Sequence, residues 1–289
     1  MKPELLDKTG IFLLKKGFTV KTLTRTCFDI VARKQSNILF LKILEDANSI
    51  SPEYAEQMVK VAHFFAGAPL IIAEKATSKL LDSVVYSRLG IYTLNLSTFK
   101  DCINNKFPFI VRDQAGLKAF INGESLRKRI EEERLSLSGL AKKLGVSTSM
   151  IHRYENGSSI TVKKAMRLYG LLGPGVFGKI NIFQPINFEI SSPSDDITGK
   201  YQELGFKAEK ASKVPFDVMA KKEDNMILTE VGDKAKPEFQ SLGKLIDADN
   251  LMIFKKRKPK DIPSLTKEEF MDFEKAHELI RFIKEGQNA

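Results

Sequence analysis

The sequence predicts an α/β fold combined with an all-α domain, in which two small α/β units flank a helical region. Three observations support this prediction. Residues 17–42 and 205–230 align without gaps as an internal repeat, apolar strands occur in both copies, and residues 123–173 have the periodicity of short amphipathic helices. With 289 residues and 43% hydrophobic content, the chain can form two or three domains that each bury a core.

Each copy of the repeat is predicted to form one α/β unit. Seven residue types are shared: Gly17, Phe18, Phe28, Asp29, Ala32, Lys34 and Asn37 correspond to Gly205, Phe206, Phe216, Asp217, Ala220, Lys222 and Asn225. In both copies an amphipathic helix ends at the Gly-Phe pair, followed by a strand, a Phe-Asp pair, a charged turn and an apolar strand. A helix over residues 51–67 and a shorter segment over 237–246 then precede the buried strands 69–73 and 250–254.

These patterns divide the chain into five predicted segments. They are a first α/β domain (1–106), a β-hairpin connector (107–122), a helical domain (123–173), a linker with one strand over 180–190 (174–195) and a second α/β domain (196–289). A single helix over residues 266–284 is expected to close the chain, with Thr266 and Glu269 forming a capping box. Its apolar face is predicted to contain Phe270, Phe273, His277 and Ile280.

Residues 137–156 carry the strongest motif of the chain, a helix-turn-helix. Ala141 is small, as two closely crossing helices require, and Gly145 occupies the turn, where a positive φ is needed. Ser147 follows the turn and suits an N-cap for the second helix of the motif. The apolar seam between the helices is predicted to consist of Leu140, Leu144, Val146, Ile151 and Tyr154. Further helices are expected over residues 124–134 and 161–172.

The motif resembles the Xre-type, or lambda-repressor-like, helix-turn-helix from about Leu126 to Leu172. This resemblance implies a helical domain that places one helix in the major groove of duplex DNA. The residues expected to bind DNA are Ser138, Lys142, Lys143, Ser147, Thr148, Ser149, His152 and Arg153. Arg153 is the candidate for pairing with guanine O6 and N7, whereas the hydroxyl groups suit phosphate or a thymine methyl and the lysines suit phosphate.

One position departs from the Xre-type pattern. The family usually has a Gln at the start of the second helix of the domain, where this chain has Leu137 and Ser138. That Gln commonly contacts phosphate or base, so part of the usual set of contacts is missing. Lys163 and Lys164 are additional candidates for nonspecific phosphate contacts.

The charge distribution favours a polyanionic partner. The formal net charge is +10, with about +6 on residues 1–122, about +5 on residues 123–173 and a balance near zero over residues 196–289. Excess positive charge around the helix-turn-helix suits the release of counterions from DNA phosphates. The two cysteines and three histidines are scattered along the sequence, so no metal site and no cofactor are predicted.

The first α/β unit resembles the nuclease fold of archaeal Holliday-junction resolvases and restriction endonucleases over roughly Glu4 to Lys75. The resemblance implies an acidic residue on the first helix, an Asp at a strand start and a Glu-x-Lys pair, which together bind Mg²⁺ and activate water. Glu4, Asp29 and Lys42 occupy matching positions, but Phe40 replaces the central Glu. An apolar ring supplies no oxygen ligand to a hard cation.

The second unit has lost still more of this pattern. Asp217 persists, whereas Leu228 and Glu230 stand where the pattern has Glu and Lys. Both units are therefore expected to be degenerate remnants without catalysis, which serve for dimerisation, extra DNA contact or ligand sensing. Because Asp29 and Asp217 remain in copies that have lost the rest, a structural role is expected for both, in which the carboxylate accepts backbone N–H groups of the preceding turn.

The whole order resembles the archaeal family of predicted HTH-type transcriptional regulators. The resemblance implies a sequence-specific, non-enzymatic regulator that binds double-stranded DNA. We expect a homodimer, because one recognition helix rarely provides enough specific contacts, and a small molecule or protein as effector. No targeting or membrane-spanning segment is recognised, so a cytoplasmic location is expected. The alternatives are a metal-dependent, structure-selective DNA nuclease and a nucleic-acid-associated adaptor.

Overall fold

The computed structural model describes residues 2–113, 116–186, 195–259 and 261–287, and the chain divides into two compact units. Unit one consists of Met1–Ile43, Ile50–Pro69 and Phe183–Ala289, and unit two of Leu44–Ser49 and Leu70–Ile182. The ends of the chain therefore fold together, while the intervening segment forms a unit of its own. Within the described residues, no helix is both long and apolar enough to cross a membrane.

Helices and strands alternate in the N-terminal part of the chain, and the middle part is mainly helical. The N-terminal part contains α1 (Lys2–Lys15), β1 (Thr19–Thr22), β2 (Ile30–Lys34), β3 (Asn37–Asp46), α2 (Pro52–Phe64), β4 (Ala68–Ala76), β5 (Ser78–Lys79), β6 (Val84–Arg88), β7 (Ile91–Leu94) and α3 (Leu96–Ile103). The middle part contains β8 (Ile110–Asp113), β9 (Gly116–Ala119), α4 (Gly123–Glu132), α5 (Leu137–Leu144), α6 (Thr148–Glu155), β10 (Ile160–Thr161) and α7 (Val162–Leu172). The C-terminal part contains α8 (Asp196–Glu203), β11 (Lys207–Lys210), β12 (Val218–Lys222), β13 (Asn225–Val231), α9 (Phe239–Ile246), β14 (Asp249–Phe254), β15 (Ser264–Thr266), α10 (Lys267–Met271) and α11 (Ala276–Gln287).

The internal repeat is present in the structure of unit one. The first repeat begins with α1 and continues through β1, β2 and β3, which pair in antiparallel order, to α2. The second repeat begins with α8 and continues through β11, β12 and β13, again antiparallel, before α9 and the parallel strands β14 and β15. The registers agree as well, since Val20 pairs with Ala32 and Ala208 pairs with Ala220 at equivalent positions.

Atomic details at equivalent positions are also shared. Gly17 and Gly205 both follow a helix with a φ near +80°, a backbone conformation that glycine adopts without strain. Lys34 Nζ donates to the carbonyl of Lys16 at 2.8 Å, and Lys222 Nζ donates to the carbonyl of the equivalent Leu204 at 2.8 Å. Both ammonium groups therefore cap the C-terminus of the first helix of their repeat, where the helix dipole favours a cation.

The two repeats pack against each other within unit one in a nearly symmetric manner. Helix α2 of the first repeat reaches the second, where Lys60 forms an ion pair with Glu209 at 3.4 Å. Helix α9 of the second repeat lies on β1 and β2 of the first, where Arg33 pairs with Asp247 at 3.1 Å. The aromatic rings of Phe65 and Phe216 meet edge to face between the repeats. The two repeats thus form a dimer-like body within a single chain.

Unit two combines a sheet with the helical domain. Its strands are ordered β4-β7-β6-β8-β9-β10, and the hairpin strands β8 and β9 pair with Ile110 opposite Ala119. Strand β10 adds two residues beside β9 and leads directly into α7. The helical core continues from this sheet, because Ala119 and Ile121 belong to the same buried cluster as the helix-turn-helix residues.

Several expectations about individual elements need correction. The single helix expected over residues 266–284 is two helices, α10 and α11, although Thr266 and Glu269 do form the capping box. Phe270 and Leu279 are both buried in the second repeat's core. An uninterrupted helix would place these residues about 180° apart around its axis, so the break allows both to pack inward.

Two further segments differ from the prediction. Strands β5 to β7 and helix α3 have no counterpart among the predicted elements. Of the linker, residues 174–186 contain a short 3-10 turn (Pro174–Val176) and no strand, and the remainder of the strand expected over residues 180–190 lies outside the described residues.

Candidate DNA-binding surface

Helices α5 and α6 form a helix-turn-helix whose ends are fixed by local interactions. The hydroxyl of Ser136 accepts from the backbone N–H of Gly139 at the start of α5. Gly145 ends α5 with φ 66° and ψ 48°, the left-handed conformation expected of the turn glycine. Ser147 then caps α6, because its Oγ accepts from Met150 N at 3.3 Å. The chain therefore changes direction within three residues, as the sequence predicts.

The seam between the two helices is buried as predicted. Leu140, Leu144 and Ile151 are completely buried, and Ala141 and Tyr154 nearly so, while Val146 packs at the edge of this cluster. Burial raises the pKa of the Tyr154 phenol. These side chains fix α6 against α5, so that its opposite face remains in solvent.

Helix α4 holds the C-terminal end of α6. Gly123 approaches the end of α6 so closely that a Cβ atom there would overlap the carbonyl group of Glu155. Arg127 Nη1 donates to the same carbonyl oxygen at 3.0 Å. A glycine and an arginine one turn apart thus attach α4 to α6, and the orientation of α6 does not depend on the turn alone.

All eight residues predicted to bind DNA have exposed side chains: Ser138, Lys142, Lys143, Ser147, Thr148, Ser149, His152 and Arg153. Those on α5 and α6 belong to the two faces that the buried seam leaves open. Ser147 and Ser149 share a hydrogen bond of 2.9 Å at the N-terminus of α6. His152 Nδ1 lies 2.9 Å from a carboxylate oxygen of Glu155. Because a carboxylate only accepts, Nδ1 carries the proton and holds the ring beside the helix.

Arg153 is the long cationic side chain on the exposed face of α6. Its guanidinium makes a weak contact within the helix, from Nη1 to the Met150 sulfur at 3.9 Å. Arg167 of α7 was missed by sequence reasoning. Its Nη1 lies 3.6 Å from where a Cβ on Gly145 would be, so the guanidinium lies beside the turn. Its spacing from Lys163 and Lys164 on one helix was the signal that could have revealed it.

The remnant of a nuclease site in the first repeat is occupied by protein cations. Asp29 Oδ1 accepts from Lys2 Nζ at 3.0 Å and from Lys42 Nζ at 3.4 Å, while Oδ2 accepts from Ile43 N at 2.8 Å. Burial lowers the pKa of Lys42, and the neighbouring Asp29 opposes this shift. The structure thus brings together Asp29 and Lys42 of the predicted remnant.

The other two positions of that remnant do not contribute oxygen ligands. Glu4 is exposed and pairs with Lys8 at 2.6 Å, which lowers the pKa of the Glu4 carboxyl. Phe40 is completely buried, with ring centroids 5.0 Å from Phe28 and 6.2 Å from Phe65. Within the described parts of the chain, no group of three or more His, Cys, Asp and Glu side chains could hold a metal ion.

The second repeat has the same hydrogen bond between the shared Asp and the next strand, but different charged residues surround that Asp. Asp217 Oδ2 accepts from Val231 N at 2.7 Å, the counterpart of the bond from Ile43 to Asp29. Glu230, at the position equivalent to Lys42, is buried, and burial raises its carboxyl pKa. Lys236 approaches both carboxylates, at 3.6 Å from Glu230 and 3.9 Å from Asp217. Lys236 thus forms the ion pair with the shared Asp that Lys42 forms in the first repeat.

The prediction that the shared Asp accepts a backbone N–H is confirmed, but the predicted donor is wrong. Both carboxylates accept a backbone N–H, but from Ile43 and Val231 on the following strand rather than from the preceding turn. The backbone N–H groups of Asp29 and Asp217 themselves donate to Leu41 and Thr229 on that strand. Each Asp therefore joins two neighbouring strands where their ladder ends.

Comparisons with known proteins agree with this description. A family model for PD-(D/E)XK superfamily domains matches residues 2–108, and a helix-turn-helix model matches residues 126–173. A relative from Thermoplasma acidophilum is 32% identical over 271 residues, which cover 88% of this chain and 87% of the relative. A relative from Archaeoglobus fulgidus is 29% identical, with 99% of this chain and 98% of the relative covered.

A third relative, from Methanocaldococcus jannaschii, is 29% identical over 97% of this chain and 96% of its own length. All three are named "putative HTH-type transcriptional regulatory protein". No solved structure matches the chain. The identity and the coverage of these relatives, together with the PD-(D/E)XK match and the capped helix-turn-helix, show that the chain belongs to the archaeal family of HTH-type transcriptional regulatory proteins.

Proposed function

We propose that the protein is a sequence-specific transcriptional regulator that reads duplex DNA with helix α6. The observation that carries this proposal is the exposed face of α6, the second helix of a helix-turn-helix capped at Ser136 and Ser147, which presents Arg153 to solvent. A guanidinium can form two parallel hydrogen bonds with guanine O6 and N7, so Arg153 is the residue assigned to base recognition. The protein is expected to act in the cytoplasm.

The remaining contacts in this proposal go to phosphate. Ser147, Thr148 and Ser149 surround the N-terminus of α6, where backbone N–H groups and the helix dipole favour an anion. The exposed Lys142 and Lys143 follow on α5, together with Ser138 at its start. Such contacts fix the register of the protein on DNA without selecting a sequence. Arg167 joins this set because of its position beside Gly145.

We further propose that neither repeat catalyses DNA cleavage. In the first repeat the Lys2 ammonium, which is not part of the nuclease pattern, lies 3.0 Å from Asp29 Oδ1, and in the second repeat Lys236 pairs with Glu230 and Asp217. Phe40 fills the position of the central ligand with an apolar ring. The repeats then serve as a scaffold that can contact DNA further or sense a ligand.

Homodimer formation is part of the same proposal. One chain has one recognition helix, and two half-sites give the number of specific contacts that operators usually need. On α7, Met166 and Tyr169 are 71% and 50% exposed and lie one turn apart. An exposed apolar stripe on a helix of the DNA-binding unit suits a second copy of the same helix.

Selection of bound sequences from random duplex DNA tests the DNA-reading proposal. The wild-type chain should enrich a defined motif. Arg153→Ala should lose about 1–3 kcal/mol of discrimination at one base pair while its affinity for unrelated DNA changes little. Lys142→Ala serves as the control, because loss of a phosphate contact should weaken binding to all sequences alike. Equal losses for Arg153→Ala on all sequences would contradict the base-reading role.

A further inference from the structure

We propose that unit one contains a binding site for a small phosphorylated molecule, where the C-terminal end of α2 faces strands β11 and β12. A cavity of about 580 Å³ lies there. Its lining includes His63, Phe64, Lys207, Lys221, Lys222 and Glu223. Three lysines thus face one carboxylate in a concave space whose size is typical of small-molecule sites.

The strand register makes the cationic side of this cavity unusual. Lys207 and Lys221 are direct cross-strand partners in β11 and β12, so their side chains leave the same face of the sheet about 5 Å apart at Cβ. That face is directed at α2, because Glu209, two residues beyond Lys207, pairs there with Lys60. Like charges placed directly opposite each other destabilise a pair of strands. An anion held between the two ammonium groups reverses this effect.

No described protein group supplies that anion. Within the described ranges, neither the Lys207 nor the Lys221 side chain has a hydrogen bond or an ion pair. Lys222 is engaged elsewhere, since its Nζ donates to Leu204 O and lies over the Phe206 ring. Glu223 is the one carboxylate of the described lining and lies more than 4.0 Å from both lysine ammonium groups. The pair is therefore available to a ligand.

The first repeat provides an internal comparison. Thr19 and Arg33 are its equivalents of Lys207 and Lys221, and they are cross-strand partners as well. Arg33 is satisfied by the end of α9, where it donates to Leu245 O at 3.2 Å and to Asp247 at 3.1 Å. This half of the symmetric arrangement thus has one cation and one carboxylate, and needs no external partner.

The equivalent place in the second repeat has two cations, Lys207 and Lys221. None of its described residues supplies a carboxylate equivalent to Asp247. Helix α2 ends at Phe64 and is followed by Phe65 and Ala66, whereas α9 ends at Ile246 and is followed by Asp247. Three carbonyls at the end of α2 already accept hydrogen bonds, because Phe65, Ala66 and Gly67 donate back to Val61, His63 and Ala62. Neither a side chain nor the helix end therefore takes the place of Asp247.

The chemistry of the lining points to phosphate. Two adjacent ammonium groups match the double negative charge of a phosphate monoester or pyrophosphate better than a single carboxylate. His63 is held in place by the contact of Nδ1 with Ile186 O at 3.0 Å, and Phe64 provides an apolar wall for the remainder of a ligand. A concave site of this size favours a small molecule over the continuous backbone of DNA.

Titration calorimetry on the full-length chain tests the site, with pyrophosphate and adenosine triphosphate as probes. The wild type should bind at one site per chain, and the Lys207→Gln/Lys221→Gln double variant should bind about tenfold more weakly or not at all. Lys255→Gln/Lys256→Gln is the matched control, since it removes the same charge from an exposed loop after β14. The control should bind like the wild type.

Thermal unfolding separates a lost ligand site from a damaged fold. Without probe, the Lys207→Gln/Lys221→Gln variant should unfold at the wild-type temperature or above, because a repulsion has been removed. Pyrophosphate should raise the unfolding temperature of the wild type and the control only. The proposal is overturned if neither probe binds the wild type, or if all three proteins bind equally. It is also overturned if the variant loses affinity for duplex DNA while pyrophosphate does not bind.

This site deepens the ligand-sensing role proposed for the repeats and rests on that role. The titration is performed without DNA, so a negative result there leaves the selection experiment with Arg153→Ala unaffected. A failure of sequence selection would in turn leave the phosphate site standing.

Discussion

At the scale of single residues, Asp29 and Asp217 show that a residue type typical of catalysis also makes structural hydrogen bonds. Each carboxylate accepts one backbone N–H from the neighbouring strand and pairs with a lysine. The sequence predicted a structural role but placed the donor in the preceding turn. The actual donor depends on the register between two strands, and a register is set by packing that residue types alone do not disclose.

Replacing Asp29 should therefore destabilise the fold rather than abolish an activity. Asp29→Ala leaves Ile43 N–H without an acceptor and the buried Lys42 ammonium without its carboxylate, at a cost of about 2–4 kcal/mol. Asp29→Asn should cost less because its amide oxygen still accepts from Ile43. Urea denaturation measures both changes in the free energy of unfolding.

Asp217→Ala provides the comparison within the same chain. Its carboxylate is 38% exposed and its partner Lys236 is 46% exposed, so water replaces the ion pair and the loss should be smaller than that of Asp29→Ala. Equal losses at the two sites would contradict the assignment of the larger effect to the buried Lys42.

At the scale of elements, the helix-turn-helix was predictable because its determinants are local. The turn at Gly145, the cap at Ser147 and the seam residues lie within twenty positions, and the structure confirms each of them. The break between α10 and α11 was not predictable in the same way. It depends on Phe270 and Leu279 sharing one core, which is a property of the packed second repeat.

The region between β4 and α3 illustrates a second limit. Strand β7 pairs in parallel with β4, although β6 and the β6–β7 turn lie between them in sequence. The β6–β7 turn contains Leu89 and Gly90, both with positive φ, and Asn95 after β7 caps the start of α3. Gly90 and Asn95 are visible in the sequence as turn and cap residues. The order of the strands in the sheet, however, depends on pairing between distant parts of the chain.

The turn of the motif can be tested with a pair of glycines. Gly145→Ala forces a side chain into the left-handed conformation and should lower the free energy of unfolding by about 1–2 kcal/mol. Gly170→Ala in α7 should raise it by about 0.5–1 kcal/mol, because a Cβ there has open space around it and alanine favours the helix. Thermal or urea unfolding of both variants measures the difference. The same sign for both would contradict the conformational argument.

At the scale of the whole molecule, the resemblance of the first unit to a nuclease fold was correct, and the internal repeat could be read directly from aligned residues. The packing of the two repeats into one body could not, since it depends on contacts such as those of Lys60 with Glu209 and Arg33 with Asp247. Those pairs join parts of the chain separated by the entire helix-turn-helix. The candidate phosphate site was likewise invisible in the sequence, because it requires the register of β11 with β12.

The proposed dimer makes a prediction of its own. Met166→Glu places a charge on the exposed stripe of α7 and should convert the protein to a monomer, with weaker binding to a two-half-site operator and unchanged binding to a single half-site. Leu89→Glu is the control, since Leu89 is similarly exposed on the turn between β6 and β7. Sedimentation with and without DNA measures the assembly. A wild-type protein that remains monomeric on its operator would refute the dimer.

The absence of catalysis is also a prediction for the complete molecule. Incubation with branched and linear duplex DNA in the presence of Mg²⁺ or Mn²⁺ should leave both substrates intact, because Phe40 replaces a ligand, Lys2 pairs with Asp29 and Lys236 pairs with Glu230. Gel analysis over hours provides the measurement. Cleavage that disappears in Asp29→Ala or Lys42→Ala would reverse this view of the repeats.

The presence of both repeats in one polypeptide has an evolutionary consequence. In a homodimer every substitution appears twice, so a change that benefits one subunit is imposed on the other. Fusion of the two halves removes that constraint. The two repeats differ at equivalent positions. Lys42 of the first repeat corresponds to Glu230 of the second, and Thr19 corresponds to Lys207. One half can thus keep the contacts that hold the body together while the other acquires a pocket, which gives a duplicated fold a route to asymmetry and to new specificity.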